Sequence, residues 1–346
     1  APAGPLTGDV AVEVDATDVA LRLPGIFADP VLPLHAVQAD VTLSRPAAGP
    51  ASIQVRRFAA RNDDASISVQ GVWRNDAGAA GSVDLHGTMD RASMPAIHRY
   101  LPLAVDEDVR NWLREGLLAG RVAGASFTLR GALADFPFRD ASAGQFRVEG
   151  SFDDAALDYA PARPDRPAWP VLSGLAGTFE IERTALRLRA QAGLALTGPG
   201  QTVALEQVRA EIPDMEHHAT LVVQGDTRGE APAYLAMMVH SPLGALLDHA
   251  LDQAQGTGRW QVPLSLRIPL YDVGQAEVSG SVVFDGASLA LHPDMPAFEA
   301  LQGALRFSER GVATDDLQGR FVGGPLRATG ELAPRPDRLL PLPRSR

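Results

Sequence analysis

Apolar residues recur at every second position through most of this chain. Val10, Val12 and Val14 alternate with Ala11, Glu13 and Asp15, and Val37, Ala39, Val41 and Leu43 alternate with Gln38, Asp40 and Thr42. That is the side-chain period of a β-strand with one face buried. The same pattern holds at Phe146/Val148, Phe179/Ile181, Leu186/Leu188, Leu221/Val223, Val278/Val282/Phe284 and Leu305/Phe307. The longest row is Trp260, Val262, Leu264, Leu266, Ile268 and Leu270, with Gln261, Pro263, Ser265, Arg267 and Pro269 opposite. Its prolines lack a ladder donor, which predicts a strand edge, a bulge or a bend. The turn signals RNDDAS, RNDAG, GSFDDA and FDGAS separate the rows, and their spacing predicts about twenty strands.

Three segments break the alternation. Residues 90–100 (DRASMPAIHRY) and 106–118 (DEDVRNWLREGLL) predict helices, each opened by an aspartate able to cap it. The second sets Val109, Trp112 and Leu113 on one face. Residues 232–251 predict a third helical region, interrupted at Ser241-Pro242. These helices precede two similar strands, which open at Gly120-Arg121 and Gly258-Arg259, 138 residues apart. VQADV from Val37, LAGTF from Leu175 and LQGAL from Leu301 recur at 138 and then 126 residues. The spacing predicts repeats: residues 1–138 with a helical insertion at 90–118, 139–270 with an insertion at 231–252, a partial third at 271–333, and a tail or linker at 334–346.

A one-sided sheet must cover its apolar face. At ~4.8 Å per strand, twenty strands make a sheet roughly 95 Å wide, which two short helical regions cannot cap. Open sheets of that size curl, split or close. Alternation leaves three solutions open: stacked sandwiches, barrels, or a trough whose apolar side takes up a ligand.

Composition narrows the chemistry. The 346 residues carry a net charge of −11, the wrong sign for a nucleic-acid binder, which needs a basic surface. No cysteine is present, and all 31 basic residues are arginine. Thiolate chemistry, disulfides, a Schiff-base lysine and a Walker A lysine are therefore excluded. No run of about 18 apolar residues could cross a bilayer as a helix. The start at Ala1, without Met or a signal peptide, is expected of a processed or excised piece of a longer protein.

Candidate sites are few. Met215-Glu216-His217-His218 is the densest polar cluster, but adjacent histidines on a strand point to opposite faces, awkward for one metal. His98 and His249 lie in helical segments as surface or interface positions. Asp63-Asp64, Asp153-Asp154 and Asp315-Asp316 read as turn residues rather than as an acid/base pair. Gly256-Thr257-Gly258 lacks the third glycine of a dinucleotide fingerprint, Gly323-Gly324-Pro325 reads as a strand-end turn, and neither GxSxG nor HExxH occurs. Met237, Met238, Leu243, Leu246 and Leu247 read as helix packing rather than as a flexible apolar site. No catalytic residue, metal or cofactor is expected.

The run 99–138, with RYLP, an acidic helix carrying WL, then AGRV, LRG and DFPF, resembles the central region of YhdP-type AsmA-like proteins of Gram-negative envelopes. GQFRVEGSFDDAALDYAP, WPVLSGLAGTFE, HSPL, IPL and GGPL follow in the same order, so the resemblance covers roughly residues 5–333. The ARPDRPA stretch before Trp169 and the Arg-Pro tail depart from the pattern. The resemblance implies a mainly β fold, a large curved and mostly antiparallel sheet forming an elongated apolar groove with short helices at its rim. It also implies a non-enzymatic, periplasmic segment of an inner-membrane-anchored protein that shields phospholipid acyl chains between inner and outer membranes. The N-terminal anchor and a C-terminal AsmA-like part are expected outside this chain. Phe127, Leu129, Phe146, Val148, Phe179, Ile181, Trp260, Val262, Leu264, Leu266, Ile268, Leu270, Val278 and Val282 are the expected groove-lining residues. The competing expectation is a structural or interaction protein of stacked β-sandwiches in the cell envelope.

Overall fold

The computed structural model describes residues 7–78, 80–103, 105–161, 169–241, 249–272, 275–308 and 311–332. The protein is mainly β, as the alternation predicts, with 17 strands in one sheet among the described residues. The chain divides into two compact units, residues 1–153 with 178–186, and residues 154–177 with 187–346.

The first unit opens with β1 (Gly8–Arg22), β2 (Val31–Arg45), β3 (Ser52–Arg61), β4 (Ala65–Arg74) and β5 (Ser82–Ser93). A 3-10 helix (Met94–Tyr100) and α1 (Glu107–Gly116) lead into β6 (Leu117–Ala132) and β7 (Gly144–Leu157). From β1 to β6 each strand pairs antiparallel with the next. Cross-strand partners share a face of the sheet, so the registers can be followed from strand to strand. Val12 meets Val41, Val41 meets Val55, Val55 meets Gly71, Gly71 meets Leu85, and Leu85 meets Leu129. The rows on either side read Val10–Leu43–Ile53–Trp73–Val83–Gly131 and Val14–Ala39–Phe58–Val69–Gly87–Phe127. A fourth reads Ala16–Val37–Ala60–Ile67–Met89–Ala125. The alternation of single strands thus becomes one apolar face, six strands wide.

The second unit contains parts of β7, β8 (Leu172–Glu182) and β9 (Ala185–Gly198). It continues with β10 (Gln201–Ile212), β11 (Thr220–Glu230), α2 (Ala231–His240), β12 (Gln255–Thr257) and β13 (Arg259–Pro269). The last strands are β14 (Glu277–Ala290), β15 (Phe298–Ser308), β16 (Gly311–Phe321) and β17 (Gly324–Leu332). β13 lies between β11 and β14 and pairs with both. Its apolar row joins Gly225–Leu264–Gly280–Phe307–Val312–Leu332, with Val223–Leu266–Val278 beside it.

Strict alternation would carry these rows to the wrong face in several strands, and β-bulges prevent it. In the first unit the apolar phase steps by three residues from Val55 to Phe58, Met89 to Ala92 and Val122 to Ala125, while partner strands show both ends on one face. In the second unit the steps are Leu205 to Val208, Phe284 to Ala287, Phe298 to Leu301 and Thr314 to Leu317. A bulge inserts one extra residue, and its side chain stays off the buried face. Gly124, Gln207, Gly286 and Ala300 sit in these steps at positive φ.

Each unit has a core at the bulged end of its apolar face. In the first, Ala92, Val122 and Ala125 are buried with Met89, Met94 and Phe179 packed against them. Polar bonds fasten the 3-10 helix there. Buried Asn62 donates to Pro33 O at 3.1 Å and to the Tyr100 hydroxyl at 2.8 Å, while its Oδ1 accepts from the N–H groups of Asp64 and Ala65. Tyr100 and Arg99 both donate to Asp64 Oδ2 at 2.7 Å. In the second unit, Tyr234 and Leu235 of α2 cover Trp260, Val262, Phe284, Ala287 and Leu301.

Several expectations are corrected. The helix expected from Asp90 begins only at Met94, because Asp90–Ser93 lie in β5, where Arg91, Ala92 and Ser93 pair with Ala123, Val122 and Arg121. Its N-cap is Ser93, with no side-chain capping bond. The aspartate cap of α1 holds, since Asp106 Oδ1 accepts from Asp108 N at 2.8 Å, although the helix stops at Gly116 and Leu117 and Leu118 open β6. Pro263 is central rather than at an edge, and the β13–β14 register is the same on both sides of it. α2 spans Ala231–His240, and residues 242–248 of the expected insertion lie outside the described residues, as does the tail at 334–346.

Candidate functional site

Among the described residues the sheet is the extended feature of each unit, and its two faces differ chemically. Opposite Val12 and Val41 run Glu13, Asp40, Gln54 and Gln70. Ion pairs cross this polar side: Arg56 binds Asp40 through Nε at 2.9 Å and Nη2 at 2.6 Å, and Arg121 reaches Asp153 at 2.7 Å. Arg56 holds the Asp40 carboxyl below the usual range by this hydrogen bond. In the second unit Arg306 clamps Asp315, and Arg327 binds Asp316 at 2.9 Å. Asp153-Asp154 and Asp315-Asp316 occupy strands, not the expected turns, and the second pair lies in the bulge of β16, which adds an adjacent side chain to the outer face; Asp63-Asp64 does lie in a turn.

The apolar side is contoured by glycines that aromatic and aliphatic side chains fill. A Cβ at Gly87 would fall 2.5 Å from the Phe127 ring, and one at Gly280 2.6 Å from the Phe307 ring. A Cβ at Gly150 would lie 3.0 Å from Phe179 and 2.7 Å from Ala125 Cβ, and one at Gly225 2.8 Å from Val208. Phe138 of the DFPF run is 0% exposed. Its ring lies over Gly131 and Gly144, where a Cβ would come within 2.7 and 2.6 Å of it. The motif is thus a plug in the face, with Phe136 exposed beside Phe146, ring centroids 5.1 Å apart.

The expected lining residues divide by environment. Phe127, Leu129, Phe146, Val148, Phe179 and Ile181 are half-buried in the first unit. Leu264, Leu266, Ile268 and Val282 are half-buried in the second, while Leu270 and Val278 are exposed. Trp260 and Val262 are only 5% and 7% exposed. Trp260 stacks on Tyr234 at 5.9 Å and meets Phe284 edge-on at 5.4 Å. Thr227 links to the Tyr234 hydroxyl at 2.8 Å and donates to Val262 O at 2.9 Å, and burial pushes the Tyr234 pKa up to about 12. That end of the row is packed core. In the first unit the β1–β2 end of the apolar face is open, with Val10 at 60% exposure and Val12, Val14 and Leu43 also exposed. Their alternation was legible, but their exposure follows from β1 pairing only with β2 among the described ladders.

Asp214, Glu216 and His217 bring ligand atoms within 4.8 Å of one another in the turn after β10. Asp214 Oδ1 already accepts from Glu216 N at 2.9 Å, as turn aspartates do, and His218 points to the Tyr271 ring at 5.0 Å. Among the described residues no helix is long and apolar enough to cross a membrane.

Sheet and surface together define a class: an antiparallel β scaffold with one polar face and one apolar face many strands wide. A family model described as YhdP protein matches residues 5–338, and the chain belongs to that family. The family is AsmA-like, with a general role in lipid transport. No curated protein and no solved structure matches the chain.

Proposed function

We propose that this chain is a non-catalytic segment of a lipid-transfer protein whose apolar β face shields phospholipid acyl chains on the way between inner and outer membranes. The carrying observation is the open part of that face, four apolar rows across six strands with Val10, Val12, Val14 and Leu43 exposed. Along β1 the rows cover about 20 Å, and across the strands about 24 Å. One leaflet of a bilayer's ~30 Å hydrocarbon core is roughly 15 Å deep, so the face is large enough for an acyl chain. Burying a CH₂ is worth about 0.8 kcal/mol, so a sixteen-carbon chain in water costs roughly 12 kcal/mol. An apolar wall removes most of that cost, and transfer from bilayer to wall becomes nearly thermoneutral. A conduit asks for a continuous wall, not for a reacting group.

On this reading the segment works in the periplasm, within a protein anchored in the inner membrane, and Phe127, Leu129, Phe146, Val148, Leu264, Leu266 and Ile268 contact lipid. Trp260 and Val262 instead hold α2 on the wall. The two helix-then-strand units that open at Gly120 and Gly258 are then repeats of one wall element, both glycines being at positive φ. The test is organic-solvent extraction of the protein purified from native membranes, followed by mass spectrometry of the extract. Stoichiometric phospholipid is expected; a lipid-free protein would overturn the proposal.

A further inference from the structure

The apolar row of β13 is one row by sequence and two by environment. Leu264, Leu266 and Ile268 are half-buried, whereas Trp260 and Val262, on the same face of the same strand, are packed under α2. The helix takes the place on the wall that an acyl chain would take along the rest of it. Its composition suits that role: Ala231–His240 reads APAYLAMMVH, apolar on every side, with Tyr234 and Leu235 buried and Val239 41% exposed. A helix apolar all round belongs within a core or in lipid, yet this one is open to solvent at Val239.

Two polar atoms beside the helix are left without a partner. Trp260 Nε1 and Gln201 Oε1 are buried, and neither makes a hydrogen bond. Gln201 opens β10 next to α2: a Cβ on Gly198, across the β9–β10 turn, would lie 3.7 Å from Gln201 Oε1 and 3.3 Å from Ala236 Cβ. A buried donor or acceptor with no partner carries its whole desolvation cost, which weakens the docked position of α2. Among the described residues the helix is tied to the strands by the Tyr234 hydroxyl, 2.8 Å from Thr227 Oγ1, and by Ala231 N, which donates to Gly258 O at 2.9 Å. Its N-cap, Glu230, makes no side-chain capping bond.

We propose that α2 is a displaceable cover, which holds the Trp260 and Val262 part of the wall until a phospholipid displaces it. The acyl chain then replaces the apolar contacts of Tyr234 and Leu235, and an ester carbonyl of the lipid accepts from Trp260 Nε1. Being apolar on every side, α2 can close over the chain from outside. The proposal rests on the lipid-shielding reading and adds to it a place where loading is controlled.

The chain has no cysteine, so a single engineered disulfide can lock the helix. Gly198 and Ala236 suit it, since 3.3 Å between their Cβ positions is just under the roughly 3.5–4.5 Å span of disulfides. The chain, made with fluorotryptophan at its four tryptophans, is titrated with phosphatidylcholine carrying a spin label on one acyl chain, and broadening of the fluorine resonances is read. Trp73, in the apolar rows of the first unit, reports on lipid shielding itself, and Trp260 reports on α2. Both resonances are expected to broaden in the unaltered chain. In Gly198→Cys/Ala236→Cys, Trp260 should stay sharp while the disulfide is closed and broaden after reduction, with Trp73 broadened throughout. Tyr234→Phe, which lacks the tie to Thr227, should lose half of the Trp260 signal at a lipid concentration about five-fold lower, the worth of one hydrogen bond. The unaltered chain and Tyr234→Phe test the cover even where the double variant does not fold. A sharp Trp260 beside a broadened Trp73 in the unaltered chain would overturn the cover and leave the lipid-shielding reading standing, as would equal broadening of Trp260 in the locked and reduced forms. Trp73 and Trp260 both staying sharp would overturn the two together.

Discussion

Small side chains set the contour of the sheet, and Phe138 shows how. Its ring fills the space that Gly131 and Gly144 leave open, at 0% exposure. Phe138→Ala should cost about 3–5 kcal/mol, the range for a buried aromatic truncated to alanine, read as a lower urea midpoint. Ala300 lies at φ 48 within the bulge of β15, where a Cβ is disfavoured by about 1–2 kcal/mol. Ala300→Gly is therefore expected to raise stability by about 1 kcal/mol, and an unchanged or lower midpoint would show that the bulge is not strained. Tyr234 gives a pH signature. Its folded pKa is raised to about 12 by burial, so folding favours the neutral phenol. That contribution is complete below the unfolded value near 10 and is lost as pH rises from there through about 12. Stability should fall across that window with a slope of about 1.4 kcal/mol per pH unit for this one proton, and Tyr234→Phe should remove that part of the slope.

At the scale of elements, the bulges matter most. Val55 and Phe58 face the same side, although two residues separate them, because Arg56 and Arg57 share one position of the ladder as a bulge. Deleting Ser68 from the regular middle of β4 should turn half of that strand over and cost more than about 3 kcal/mol, whereas deleting Arg57 only restores the two-residue period of β3 and should cost far less. Equal unfolding midpoints for the two variants would disprove this role. The bulges also explain why paired polar residues such as Arg56-Arg57 and Asp315-Asp316 sit inside strands: they carry the extra outward side chain. Loss of the α1 cap in Asp106→Ala should cost about 1 kcal/mol, seen as faster amide exchange over residues 107–116 with the strands unaffected.

For the whole molecule, the chemistry resides in a surface rather than in a group. Val12→Asp in the first unit and Leu266→Asp in the second each put a carboxylate on the apolar face, on strands that remain paired. Each is expected to lower co-purified phospholipid several-fold while circular dichroism is retained. Gln70→Asp, on the polar side of β4, should leave lipid content unchanged. Equal lipid content in all three variants would refute the assignment of the apolar face as the lipid-holding surface.

Sequence alone determined the fold class, the apolar side of the strands that alternate regularly, the cap of α1 and the family, because a period of two and a run such as RYLP–DFPF are local properties. Tertiary structure decided the rest. Whether Asp90–Ser93 coil or extend depends on β6, which offers a ladder to that stretch. Whether Trp260 lines a surface or a core depends on α2 folding over it. Whether Val109 and Trp112 are covered depends on what packs against α1, and nothing within the helix records that. Hydrogen-bond register and coverage are set by partners distant in the chain, so a residue's periodicity gives its side of the sheet but not what lies above it.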